Sequence, residues 1–225
     1  MKSKKVLIVE NNNLNRKLFE SLIGQFYSFE TAKNGIEAVN KASSEKFDLI
    51  LMDIQMPEMD GITAFKQIRR QAENHCPIIA VSTYSVDSAR KCFLELGFED
   101  VINKPIRPKE FLILIANQLN GKTEEESVLS NANKELEVLD KRVFKQLLKY
   151  NSAETIKSIY ADFLIEFDEL MYKIDLAFPE KNQQTLIENL HTMKGNSGTL
   201  GATVIYNLSS EADLKARLQD WESLG

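Results

Sequence analysis

The run Leu49-Ile50-Leu51-Met52 is apolar at every position and ends on the carboxylate of Asp53. Apolar residues without alternation fit a strand covered on both faces, as in a parallel sheet between helices; a strand with one wet face would alternate. After Pro57 the spacing turns helical, with Ile62, Phe65 and Ile68 on one side. The same alternation extends outward from this unit. Upstream lie a strand at Val6–Val9, a helix carrying Leu14, Leu18, Leu22 and Ile23, a weaker strand at Tyr27–Ala32 and a helix at Ile36–Ala42. Downstream, Ile78–Val81 reads as strand, Ser88–Leu96 as helix, Val101-Ile102 as strand and Lys109–Leu119 as helix. Strands alternating with helices at this spacing imply right-handed βαβ units. The expectation is an α/β domain over residues 1–120, a (βα)5 doubly wound parallel sheet.

Residues 121–136 are polar and acidic, with Glu124, Glu125 and Glu126 in a row, and read as a linker. From 137 to 225 every periodic segment is helical. A short helix is expected near Val143–Leu148 and two more near Thr185–Leu200 and Val204–Leu218. Between them Ile156, Ile159, Tyr160, Phe163, Leu164, Phe167, Leu170, Met171 and Ile174 form a stripe at spacings of three and one, which predicts one long amphipathic helix of an all-α helical bundle.

The chain has 225 residues, enough for one or two domains at roughly 150 residues each. Its hydrophobic share of 43% excludes collagen-like and disordered classes. Two cysteines, Cys76 and Cys92, lack CxxC spacing, which points to a reducing, cytoplasmic setting without thiol-bound metal. Val6–Val9 is too short for a signal peptide core, and no segment approaches the ~18 apolar residues of a membrane span, so membrane insertion is not expected. The net charge of −5 is the sum of +1 over residues 1–121 and −6 over residues 122–225. Neither half carries the basic excess that phosphate backbones require, so no nucleic-acid partner is expected.

In an open parallel sheet, ligands bind at the carboxyl ends of the strands. Glu10-Asn11-Asn12 follow the first strand, Asp53 the third, Ser82-Thr83 the fourth and Asn103-Lys104-Pro105 the fifth. Strand ends are polar in any case, so one such residue would say little. Several at one edge can hold Mg²⁺ through hard oxygens (the carboxylates and a backbone carbonyl, that of Gln55) and a phosphoryl group through Lys104.

These residues resemble a family. Val-Leu-Ile-Val-Glu-Asn-Asn (6–12), Leu-Met-Asp-Ile-Gln-Met-Pro-Glu-Met-Asp-Gly (51–61), Ile-Ile-Ala-Val-Ser (78–82) and Asn-Lys-Pro (103–105) look like the receiver domain of two-component response regulators, a flavodoxin-like fold. The likeness spans about residues 4–119. It implies that Asp53 is the phosphoacceptor, that Glu10 belongs to the acidic pocket, that Ser82 is the switch hydroxyl and that Lys104 contacts phosphate. Pro57 and Gly61 would shape the loop beside Asp53. Two departures stand out. Asn11 replaces a second acid that ligates Mg²⁺ in the family, so weaker metal binding and slower phosphorylation are expected. Val101 occupies the position of the family's aromatic switch residue. A phosphatase of the haloacid-dehalogenase type would need an Asp-x-Asp pair, and Gln55 stands at its second position. Glycine-rich phosphate loops of an ATP site are absent.

In the helical half, His191 sits in Leu-His-Thr-Met-Lys-Gly-Asn-Ser-Gly-Thr-Leu-Gly-Ala (190–202), beside the apolar stripe of its helix, so its ring is expected to face solvent. The segment resembles a histidine phosphotransfer (HPt) domain, across about residues 138–218. That likeness implies that His191 is the phosphohistidine, Lys194 its phosphate partner, and Gly195 and Gly198 an open docking surface. His75, in Asn-His-Cys-Pro, reads as a solvated loop residue. The family's final helix is barely begun here. The last helix therefore reads as truncated, Phe163, Phe167 and Ile174 are expected to be partly exposed, and a homodimer through the incomplete bundle is one consequence.

The combination implies a phosphorelay protein passing a phosphoryl group between Asp53, His191 and partners: a sensor histidine kinase and other receiver or HPt domains. No ATP-binding kinase domain is expected within these 225 residues. Two alternatives are the C-terminal part of a hybrid sensor histidine kinase, and a docking module whose Asp53 is not phosphorylated because of Asn11.

Overall fold

Five strands form the first unit: β1 (Lys5–Val9), β2 (Ser28–Ala32), β3 (Leu49–Asp53), β4 (Ile78–Ser82) and β5 (Asp100–Asn103). They pair in parallel in the order β2-β1-β3-β4-β5. The computed structural model describes residues 4–70, 76–83, 87–120, 138–219 and 221, and the chain divides into two compact units, residues 1–127 and 128–225. His75, the expected linker 121–136 and the chain end at 222–225 lie outside the described residues.

Helices α1 (Asn13–Gly24), α2 (Gly35–Ser44), α3 (Gly61–Arg70), α4 (Asp87–Leu96) and α5 (Pro108–Asn120) follow the strands in turn. Alternate residues of each central strand serve opposite faces. Leu7, Val9, Ile50, Met52, Ile78 and Ala80 pack with Ala38, Ala64, Phe65 and Phe93 in one core. Val6, Ile8, Leu49, Leu51, Ile79 and Val81 are equally buried on the other side of the pleat. There Phe19 of α1 stacks on Phe111 of α5 with ring centroids 5.2 Å apart. Both faces are covered, and the unbroken apolar runs follow from that.

The turn after β3 is shaped by Gly61. Its N–H donates to the Ile54 carbonyl at 3.0 Å. A Cβ there would stand 2.2 Å from the Asp53 carbonyl oxygen, a backbone atom that cannot step aside. Gly61→Ala is therefore expected to lose about 1–3 kcal/mol of stability through overpacking and to displace Asp53, read as a lowered denaturation midpoint with reduced Asp53 labelling.

The second unit holds α6 (Lys141–Tyr150), α7 (Ala153–Ala177), α8 (Gln183–Leu200) and α9 (Thr203–Arg217). Asp140, Ser152 and Asn182 cap the first three by accepting N–H groups of the opening turn. Gly201 ends α8 in the left-handed region, φ +74°, where its missing Cβ also leaves room for Val143 of α6. Two backbone hydrogen bonds, Asp140 N–H to the Gly201 carbonyl and Thr203 N–H to the Val138 carbonyl, fasten the start of this unit to the α8–α9 turn.

The long helix differs from its expected stripe. Ile156, Ile159, Phe163 and Leu170 are buried, but Leu164 is 62% and Met171 37% exposed. At 100° per residue the 3-1-3-1 pattern is wider than one buried face, and its second members turn outward. The expectation of exposure at Phe163 is corrected, since that ring is buried. Phe167 and Ile174 are partly buried, as expected.

Candidate functional site

The carboxyl ends of β1, β3 and β5 meet through one ammonium group. Lys104 Nζ lies 2.8 Å from Glu10 Oε2 and 2.9 Å from Asp53 Oδ2. Glu10 and Asp53 are buried beside the nearly buried lysine. Ser82, also buried, ends β4 between them, and its carbonyl accepts the Lys104 N–H at 2.7 Å. Four of the residues expected at this edge are thus brought together. Asn11 is exposed at the rim, and Gln55 is half-buried with its N–H donating to Asp53 Oδ1 at 3.3 Å.

Burial of the Glu10 carboxyl, reinforced by the like charge of Asp53 and opposed by Lys104, pushes its pKa up to about 8. Burial would lower Lys104, but the charges of Asp53 and Glu10 prevail and hold it above the ordinary lysine value. While Glu10 holds its proton, Lys104 balances Asp53, and the pocket turns negative only as that proton is released. Glu10 Oε2 is buried without a well-aligned hydrogen bond, its contact being the Lys104 ammonium. Hard oxygens in a pocket with one unsatisfied carboxylate oxygen fit a divalent cation such as Mg²⁺, which would displace the Glu10 proton. Among the described residues no three acidic, histidine or cysteine side chains gather at one point.

Some features of the pocket were not visible in the sequence. Arg16 is buried on α1 and donates to the Glu10 and Asn11 carbonyls at 2.9 and 3.3 Å and to Asn13 Oδ1. A cation in the opening turns of a helix opposes the helix dipole, which is a sign that something else holds it there. Asn12 caps α1, and its own N–H donates to Glu10 Oε1 at 3.1 Å. Thr83 Oγ1 donates to Gln55 Oε1 at 3.3 Å, tying the turn after β4 to the turn after β3. The N–H of Gly35 donates to the Met59 carbonyl at 3.1 Å, so the start of α2 holds the same turn from the other side. Val101 is buried in the core below α4, a packing role in place of a surface aromatic.

In the second unit His191 and Lys194, three residues apart on α8, share a helix face and are both half-buried. The imidazole is therefore less open than expected. Gly195 and Gly198 are themselves buried. Residues 195–200 are all buried. The fully buried Asn196 amide makes no well-aligned hydrogen bond. Glu166 of α7 has its pKa raised chiefly by burial, with the Asn196 amide opposing. Nothing in the sequence pattern signalled this polar pair.

Residues 6–116 match the family model of the response regulator receiver domain, and residues 158–224 that of the Hpt domain. The chain is 40% identical over 119 residues to the polar-differentiation response regulator DivK of Brucella anthropi, an alignment spanning 52% of this chain and 96% of that protein. It is 29% identical over 201 residues to the sensor histidine kinase GacS of Pseudomonas protegens, covering 85% of this chain but 22% of the kinase. The receiver domain of sensor histidine kinase PA1611 from Pseudomonas aeruginosa, a crystal structure with a magnesium ion coordinated in the active site cleft, is 31% identical, covering 52% of this chain and 97% of that one, with a TM-score of 0.48. Among the described residues no helix is long and apolar enough to cross a membrane.

Proposed function

Because the chain belongs to the response-regulator receiver family and carries an Hpt domain in its second half, its role is in a phosphorelay, and we propose that Asp53 and His191 are its two phosphoryl carriers. The domains are read as residues 1–120 and 137–225. The observation that carries the proposal for Asp53 is the single Lys104 ammonium shared with Glu10 in a buried pocket.

In the forward step a carboxylate oxygen of Asp53 attacks the phosphorus of a partner's phosphohistidine. The P–O bond forms as the P–N bond breaks, and the leaving imidazole takes up a proton. Lys104 moves its N–H donors onto the phosphoryl oxygens, and Ser82 lies at the same edge to receive another. Glu10, Asp53, the Gln55 carbonyl and, more weakly, the Asn11 carboxamide would hold Mg²⁺, which supplies positive charge to the phosphoryl oxygens when bound. At the second carrier a neutral ring nitrogen of His191 attacks an aspartyl phosphate. The N–P bond forms as the acyl P–O bond breaks, the aspartate leaves as carboxylate, and the other ring nitrogen gives its proton to solvent. The Lys194 ammonium on the same helix face offsets the added charge.

A second reading has specific support. Most of this chain aligns with GacS but covers about a fifth of that kinase, as a C-terminal receiver–Hpt part of a hybrid kinase would. The residue roles are the same in either case.

The test is labelling with a small acyl-phosphate donor, with and without Mg²⁺. The expected result is a Mg²⁺-dependent, base-labile label on the receiver and, after transfer, an acid-labile label that His191→Gln lacks. Absence of any base-labile label at saturating Mg²⁺ would reduce the receiver to a docking module.

A further inference from the structure

We propose that Arg16 is a positioning residue for the metal pocket, holding the Glu10–Asn11 peptide in the orientation that presents both side chains to a divalent cation. The proposal rests on the reading of Glu10 and Asp53 as metal ligands.

Arg16 is 9% exposed, and its guanidinium turns back from α1 beneath the loop that leaves β1. One nitrogen, Nη1, serves two consecutive carbonyls, that of Glu10 at 2.9 Å and that of Asn11 at 3.3 Å. Nη2 donates to Asn13 Oδ1, and Nε lies 3.9 Å from Glu20 one turn along. The guanidinium therefore grips two consecutive carbonyls of the loop and the side chain of the first residue of α1 with a planar, fixed fork, which a lysine cannot reproduce. This matters more here than in a site rich in acids. With two carboxylates and a neutral amide, little electrostatic attraction is available to pull a misplaced ligand into line. The geometry must be held by the loop itself. Outer-shell partners of metal ligands typically contribute 10–100-fold in metal affinity.

The positive charge of Arg16 gives the opposite expectation. A cation beneath a metal pocket repels the metal, so if charge were its main effect, removing it would tighten binding. The two effects differ in sign, which makes the experiment decisive.

Mg²⁺ affinity would be measured by titration calorimetry on the full chain and on Arg16→Lys and Arg16→Met, each also in an Asn11→Asp background that restores the acid. Circular dichroism melts would confirm that each variant folds. The expected result is about a 10-fold weaker Mg²⁺ affinity for both Arg16 variants, because lysine keeps the charge and loses the fork. Unchanged affinity in either background, or tighter binding in Arg16→Met, would overturn the proposal. So would Arg16→Lys behaving as the parent, since charge alone would then suffice. If the parent binds no Mg²⁺ even at millimolar concentration while Asn11→Asp does, the metal reading fails for this chain, and the Asn11→Asp pair still decides the role of Arg16.

Discussion

Asp53→Asn is expected to abolish the base-labile phosphoryl label completely while leaving the receiver folded. The carboxamide has nearly the shape of the carboxylate but cannot form an acyl phosphate by attack on phosphorus. The 2.8 Å contact between Lys104 and Glu10 remains to hold the strand ends. The substitution has a second signature. The Asp53 charge helps raise Glu10, after burial, to a pKa of about 8. In the parent, the folded state keeps a proton on Glu10 that the unfolded chain releases above the ordinary carboxylate range. Receiver stability therefore falls as pH rises from about 4.5 toward 8. With Asp53 neutral, the fall should be shallower and end at a lower pH. Melting curves of both proteins between pH 5 and 8, with chelator present, would read this directly. Identical slopes would show that Asp53 carries no charge interaction with Glu10.

Lys104→Met should have the largest effect on stability. It leaves Asp53 without its counter-charge in a buried pocket, beside a Glu10 that keeps its proton. Removing one partner of such a buried group costs about 3–5 kcal/mol. Glu10, with its pKa of about 8, already holds its proton at neutral pH and gives no further relief below it, so the loss should persist from pH 7 to pH 5. Phosphorylation of Asp53 should fall by about 100-fold or more even where the fold is intact, because the cation that meets the phosphoryl oxygens is gone. Chemical denaturation at the two pH values, paired with labelling, separates the two losses. A variant as stable as the parent at pH 7 would mean that the ammonium is not the pocket's main counter-charge.

The parallel sheet was legible because strands buried on both faces need continuous apolar residues, and Val6–Val9, Leu49–Met52 and Ile78–Val81 provide them. Once that topology is accepted, Glu10, Asp53, Ser82 and Lys104 must share one edge, since parallel strands end together. The resemblance singled out Gly61, but its steric cause, a Cβ against the Asp53 carbonyl, is visible only in three dimensions. Arg16 was hidden because side-chain direction is not encoded by periodicity: it lies between Leu14 and Leu18 and reaches back to a loop. In the bundle, apolar spacing located α7 and α8 but misjudged which residues turn inward. Leu164 and Met171 belong to the pattern yet face outward, while small residues from Gly195 to Thr199 form the interior of α8. Patterns built on large apolar side chains do not register an interior made of glycine, serine and threonine.

One ammonium just past β5 holds a carboxylate just past β1 and another at the end of β3, so three strand ends share a single set of donors. Reciprocity follows from this sharing. If phosphorylation draws Lys104 toward the phosphoryl oxygens and away from Glu10, any macromolecule that prefers the turn after β5 in its shifted position must favour the phosphorylated acceptor by the same factor. A binding partner at that turn would thus influence how long Asp53 keeps its phosphoryl group without touching it. The size of that influence is bounded by how differently the partner binds the two positions of one lysine.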